Sequence, residues 1–211
     1  IISYRTLNKD NMKNKDAIIL CSTFNESIED IFNFSKNIIN QCLKIKEKYF
    51  ISFVLVFEKS EKEKSILLEN LLDNFHEDFY QILVNKEGNG FPSCLNYGIK
   101  NSYSNFIFRI DTDDKLLENR LDNQLTTMLK KKIDLSYGDI IDEKGRLIRY
   151  PGTLLGIYLT IALGANPIPH QTVCVRRSKF YKYDVTVKKA EDFDLWIKFI
   201  INPSIKFQKL D

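Results

Sequence analysis

Glycine and proline are scarce, with 8 and 5 in 211 residues, which excludes a linker-rich or low-complexity chain. No sign of charge dominates. Lys and Arg number 31 against 28 Asp and Glu, and a formal net charge of +3 is too small to mark a nucleic-acid-binding domain. The longest apolar run, 154–163, is too short to span a bilayer, and no signal peptide opens the chain. Cys21, Cys42, Cys94 and Cys174 show no metal-ligand spacing, and each has an apolar neighbour. They read as reduced packing residues, which points to a cytoplasmic location rather than a secreted one. There is no initiator Met and the end is abrupt, which leaves room for a membrane anchor or a C-terminal segment outside these 211 residues.

What is present suffices for one sizeable core: 44% of residues are hydrophobic, in a length that suits a single domain. A polar, aperiodic lead-in is expected over 1–16 and a domain over 17–211. AIILCS (17–22), FISFVLVF (50–57), QILVN (81–85) and NFIFRID (105–111) read as buried strands. Between them the spacing predicts helices: one starting within 25–30 and running to Cys42, one over 61–75 with Ile66, Leu67, Leu71 and Leu72 inward, and one from Pro92 to about Lys100. Alternation of this kind implies an α/β fold with a mostly parallel central sheet and helices on both faces. Ligands in such folds bind beyond the carboxyl ends of the strands. A nucleotide-binding part over 17–114 would then precede an acceptor-side part over 115–211. The latter reads as a helix at 118–132, a strand-like 134–142, a turn at 143–146, a short apolar helix at 153–163, a rigid loop at 166–170, a strand in QTVCVRR and a buried helix at 190–201.

FRIDTDD carries the most chemistry. An apolar strand ends in Asp111, Asp113 and Asp114, and in extended backbone the first two project to one face about 7 Å apart. Three such carboxylates repel, and a divalent cation removes the conflict; oxygen-only donors suit Mg²⁺ or Mn²⁺. A solvated acidic turn capping the next helix is the competing interpretation. In AEDFDLW, Glu191 and Asp192 open a helix, and Asp192 shares a face with Leu195, Trp196 and Phe199. A partly desolvated carboxylate beside a cleft suits a general base, whereas plain N-capping needs no cleft. His170, held between Pro169 and Gln171, is a candidate for metal, diphosphate or acceptor contact, or for a structural role in its loop. Trp196 is a candidate acceptor-sugar platform, or a core residue. Lysine groups at 44–48, 130–132 and 188–189 read as solvated faces, with membrane contact as the lesser option.

The ordered set resembles family 2 glycosyltransferases of the GT-A fold, in the bacterial surface-polysaccharide and lipooligosaccharide branch. STFNE (22–26) resembles the motif after their first strand, and FEKS (57–60) the acidic motif after the second. The run from Asn85 to Asp114 is similar to their Gly-rich turn, helix, strand and Asp-X-Asp. HQTVCVRR and AEDFDLWIKF resemble two later motifs of that branch. The resemblance implies an inverting transferase moving a sugar from a nucleotide-diphosphate sugar, a UDP-sugar first, to a hydroxyl of a glycan or lipid-linked glycan. It implies a Mn²⁺ or Mg²⁺ cofactor, no nucleic-acid partner, and a cytoplasmic place at the inner face of the membrane. Ser22, Thr23, Phe24 and Glu58 would hold the nucleoside, with Asp111 and Asp113 at the ribose and diphosphate. Asp113, Asp114 and His170 would serve the metal, Asp192 the base with Glu191 next to it, and Trp196 the acceptor. Leu95 stands where many relatives have an Arg, so that diphosphate contact is either absent or supplied by Arg109, Arg176 or Arg177. A sugar nucleotidyltransferase and a non-catalytic nucleotide-sugar-binding domain are the rival functions.

Overall fold

Strands in this chain are apolar at consecutive positions because both faces of the sheet are covered. The computed structural model describes residues 15–88, 90–187 and 189–210. The first strand, β1 (Ala17–Ser22), is buried throughout and is followed by helix α1 (Ile28–Lys44), whose Ser27 cap accepts from the Asp30 amide. β2 (Ile51–Phe57), α2 (Lys62–Leu71), β3 (Tyr80–Val84), α3 (Phe91–Lys100) and β4 (Phe106–Arg109) complete the expected alternation. Then come α4 (Arg120–Lys131), β5 (Leu135–Tyr137), the short hairpin β6 (Ile140–Ile141) and β7 (Leu147–Ile148), α5 (Leu154–Ala162), β8 (Cys174–Arg176), α6 (Glu191–Ile200) and β9 (Phe207–Lys209).

The main sheet runs β3-β2-β1-β4-β8-β5-β9. β1, β2, β3 and β4 are mutually parallel, β8 is antiparallel to both β4 and β5, and β5 is parallel to β9. The α/β, mostly parallel expectation therefore holds, with one strand reversed. Side chains alternate between two cores. Ile19, Cys21, Phe53, Leu55, Phe106 and Phe108 meet α1, α2 and α4 on one side. Ile18, Leu20, Val54, Val56 and Ile107 meet α3, α5 and α6 on the other. α3 comes closest: a Cβ on Gly98 would lie 2.5 Å from Leu20 Cδ1 and 2.8 Å from Val56 Cγ2.

Three sequence expectations change. α2 turns Ser65 and Leu68 inward, with Leu72 at its end buried as expected, and leaves Ile66, Leu67 and Leu71 exposed. The segment 134–142 divides: Tyr137 ends the sheet strand, and residues 140–141 pair instead with 147–148 across a turn that Gly145 makes at φ 75°. β9, not expected at all, adds an outer strand. Of the lead-in, only Lys15 and Asp16 lie among the described residues, and both already bond toward β2 through Ser52 and Phe50. All four cysteines are buried and free.

Candidate active site

The reversal of β8 builds the site. Because β8 runs against β4, the residues that precede it arrive at the carboxyl edge of the parallel strands, where β1 ends at Ser22 and β4 runs on to Asp111. Arg109 N–H donates to Val173 O at 2.9 Å, and the Thr172 and Val173 amides turn back onto Pro169 and His170. This docks His170 beside the acidic turn. Pro167 and Pro169 hold the incoming loop extended. The amino end of α6 returns to the same edge.

His170 joins the two acidic groups. Its Nε2 lies 2.5 Å from Asp111 Oδ2 and its Nδ1 lies 3.0 Å from Asp192 Oδ2. Asn166 Nδ2 donates to that same Asp192 oxygen at 2.7 Å, and Asn166 Oδ1 accepts from the Ile168 amide. On the far side of Asp111 stands Arg109, which strand alternation points toward α3. It is 3% exposed, pairs with Asp111 and places its guanidinium 4.9 Å from the centre of the Phe91 ring. Tyr183 closes the group from above, its backbone clasped in both directions by the Asn96 side chain at 2.8 and 3.0 Å.

The protonation states follow from this chain of charges. Burial opposes ionisation of His170, but its bonds to Asp111 and Asp192 outweigh burial and hold its pKa up at about 9. Burial would raise the Asp111 carboxyl; the Arg109 charge and His170 carry it well below the usual carboxylate range. For Asp192, burial is again outweighed by His170 and by backbone N–H groups at the start of α6, and its pKa falls. Asp114 goes the other way: burial and the neighbouring Asp111 and Asp113 charges raise it.

Asp111, Asp113 and Asp114 each offer an oxygen within 4.8 Å of the others. This donor set fits a hard divalent cation. Asp111 already has Arg109 and His170, so Asp113 and Asp114 are the carboxylates whose mutual repulsion a cation would relieve. His170 does not join that set. Its two ring nitrogens face Asp111 and Asp192 instead, and both contacts favour the charged ring.

Of the residues expected to hold the nucleoside, Ser22 and Thr23 are buried. Ser22 Oγ has no partner among the described residues, and Thr23 Oγ1 donates to Glu61 at 2.8 Å. Phe24 is 67% exposed above them. Glu58 Oε1 accepts from the Gly90 amide at 2.7 Å, which ties the end of β2 to the start of α3, where Gly90 adopts φ 85°. Glu26 links the two loops by accepting from Thr112 Oγ1 and from the Phe24 amide.

Three other expectations fail. Trp196 is 1% exposed, packed against Phe199 in the second core, so it has no face for a sugar. Arg176 and Arg177 sit at the amino end of β4: Arg176 pairs with Asp134 over the Phe106 ring, and Arg177 donates to Ile99 O. They line a hollow of about 520 Å³ at the wrong edge of the sheet for a diphosphate. Sequence reasoning in turn passed over Asn166, Thr112, Phe91 and Tyr183. Only Asn166, beside the rigid Pro-Ile-Pro run, carried a local signal.

Comparison with known proteins agrees with this fold. The family model for glycosyl transferase family 2 matches residues 18–187. The chain belongs to that family. Among relatives of this transferase, an uncharacterized glycosyltransferase of Rickettsia conorii is 30% identical over 137 residues, covering 59% of this chain and 23% of that protein. The Escherichia coli UDP-Glc:alpha-D-GlcNAc-diphosphoundecaprenol beta-1,3-glucosyltransferase WfgD is 24% identical over 133 residues, covering 62% of this chain and 52% of its own. The transferase thus spans about half or less of these curated relatives. The Pyrobaculum calidifontis mannosyltransferase PcManGT, solved with GDP-Man and Mn²⁺, shares the GT-A fold at TM-score 0.64 and 12% identity, over 94% of this chain and 55% of its own.

Proposed function

We propose that this chain is an inverting glycosyltransferase that moves a sugar from a nucleotide-diphosphate sugar, a UDP-sugar first, to a hydroxyl of a lipid-linked glycan. The observation that carries the reading is the Asp111–His170–Asp192 chain, which joins the end of β4 to the start of α6 at one edge of the sheet. Family membership favours glycosyl transfer over nucleotidyl transfer or donor binding alone. The nucleobase would meet the exposed Phe24 ring and the backbone of residues 22–24, with Glu58 beside it. Asp111, held by Arg109, would stand at the ribose. Asp113 and Asp114 would hold Mn²⁺ or Mg²⁺, which when bound neutralises charge on the departing diphosphate.

Asp192 acts as the base in this reading, with Glu191 beside it at the start of α6. His170 and Asn166 orient its carboxylate, and its lowered pKa keeps it ionised at neutral pH. It takes the acceptor proton as the oxygen attacks the anomeric carbon, and the nucleoside diphosphate leaves from the opposite face. One displacement inverts the configuration. A peripheral place at the inner face of a membrane suits such an acceptor; among the described residues no helix is long and apolar enough to cross a bilayer. The test is donor turnover, read as nucleoside-diphosphate release with Mn²⁺. Asp192→Asn should keep donor binding and lose about 10² to 10⁴-fold in rate, the usual contribution of a positioned base. A variant as fast as wild type sinks the assignment.

A further inference from the structure

α5 is apolar on its outer side as well as its inner one. Its inner side is anchored by Ile157, fully buried, but its outer side carries Leu154, Leu155, Tyr158 and Leu159, with Leu163 just beyond its end, all at least half exposed. Those positions recur every three to four residues and form one continuous outer face. A surface helix of ordinary kind puts charge there. Here no Asp, Glu, Lys, Arg or His occurs anywhere in 150–169, in a chain of which 28% is charged. An apolar face of this size in water marks a contact surface.

Its position says what it contacts. The segment that carries α5 leaves and returns at the base. Tyr150, before it, has its phenol pKa pushed up by burial first, then by Asp139, and least by Asp192. Asn166, after it, donates to Asp192 itself. The apolar face therefore rises directly from the place where an acceptor hydroxyl would enter. A second copy of the chain seated on it would stand at that entrance, whereas a bilayer would present a lipid-borne acceptor there. α5 has nine residues, about 14 Å, too short to span and of a length to lie in an interface. The hairpin leading into it exposes Lys144 and Arg149 against Glu143, with Arg146 paired to Asp142, an excess of the sign that suits anionic headgroups. Lys44 and Lys48, by contrast, are engaged with Glu118 and Asp122.

We infer that the outer face of α5 docks this transferase onto a phospholipid bilayer and sets the acceptor's lipid beside Asp192. The choice of acceptor rests on the glycosyltransferase reading above; the bilayer contact does not. The probe is the 211-residue chain sedimented with vesicles of phosphatidylethanolamine and phosphatidylglycerol, against a Leu155→Glu/Leu159→Glu variant. Two charges in the interface should weaken partition by at least about tenfold, with an unchanged melting temperature to certify folding. Donor turnover is then measured with a short water-soluble glycoside and with a long-chain alkyl glycoside in vesicles. The variant should match wild type on the first and fall behind on the second. Wild type that stays in the supernatant overturns the proposal, as does a folded variant that binds vesicles equally well. A pair of substitutions whose only effect is to dissolve a dimer, seen by sedimentation velocity, overturns it too. Vesicle binding lost in the variant with no donor turnover in either protein leaves the docking surface standing and removes the glycosyltransferase reading.

Discussion

His170 carries more of the site than either acid it touches, because a cation between two carboxylates keeps both ionised in one partly buried space. This has a consequence for stability. Its folded pKa of about 9 lies above the ordinary histidine value of 6.5. Stabilisation from the charged ring is therefore complete below about pH 6.5, declines above it, and is gone once pH passes 9. At about 1.4 kcal/mol per pKa unit the full contribution is on the order of 3–4 kcal/mol. Urea melts of the metal-free protein should show stability falling over this window, and His170→Gln should flatten that slope. A slope of the same size in the variant places the titrating group elsewhere.

Packing of α3 against the sheet sets how the elements meet. Gly98 lets the helix lie on Leu20 and Val56 with no side chain between them, and this seats Cys94, Leu95 and the Asn96 clasp on Tyr183. Gly98→Val would force those two side chains apart in a filled core; overpacking of this kind costs about 1–3 kcal/mol. The expected result is a lower chemical-denaturation midpoint at unchanged m value, together with weaker donor binding as the Tyr183–Arg109–Asp111 stack shifts. A midpoint equal to wild type shows that the contact yields without cost. α6 displays the same logic: Leu195, Trp196 and Phe199 fix the helix by burial, and this places Asp192 at the edge, where His170 and Asn166 meet it.

For the whole molecule, the donor is expected to act as a folding ligand that couples both loops and both parts of the sheet. A saturating nucleotide-diphosphate sugar at about 100 times its dissociation constant adds about 2.7 kcal/mol of stability. Part of that gain should need Mn²⁺. Asp113→Asn/Asp114→Asn should abolish the metal-dependent part of the melting-temperature rise while leaving the metal-free protein no less stable, since the pair repels without a cation. A full metal response in that double variant removes both residues from the cation site.

The sequence by itself determined the parallel half of the fold and the acidic turn. Consecutive apolar residues in β1, β2 and β4 demand cover on both faces, and a strand that runs into Asp111, Asp113 and Asp114 delivers those groups wherever its carboxyl edge lies. It also marked His170 and Asp192, though not their relation. Which arginine meets Asp111, whether Trp196 faces sugar or core, and that His170 bridges two carboxylates were decided only by tertiary structure. The reason is direction. β8 is three residues long and nothing in Cys174, Val175 or Arg176 says that it runs backwards. That one reversal carries residues 166–170 to the carboxyl edge and sends Arg176 and Arg177 to the opposite one, because neighbouring strand ends exchange places when a strand is inverted.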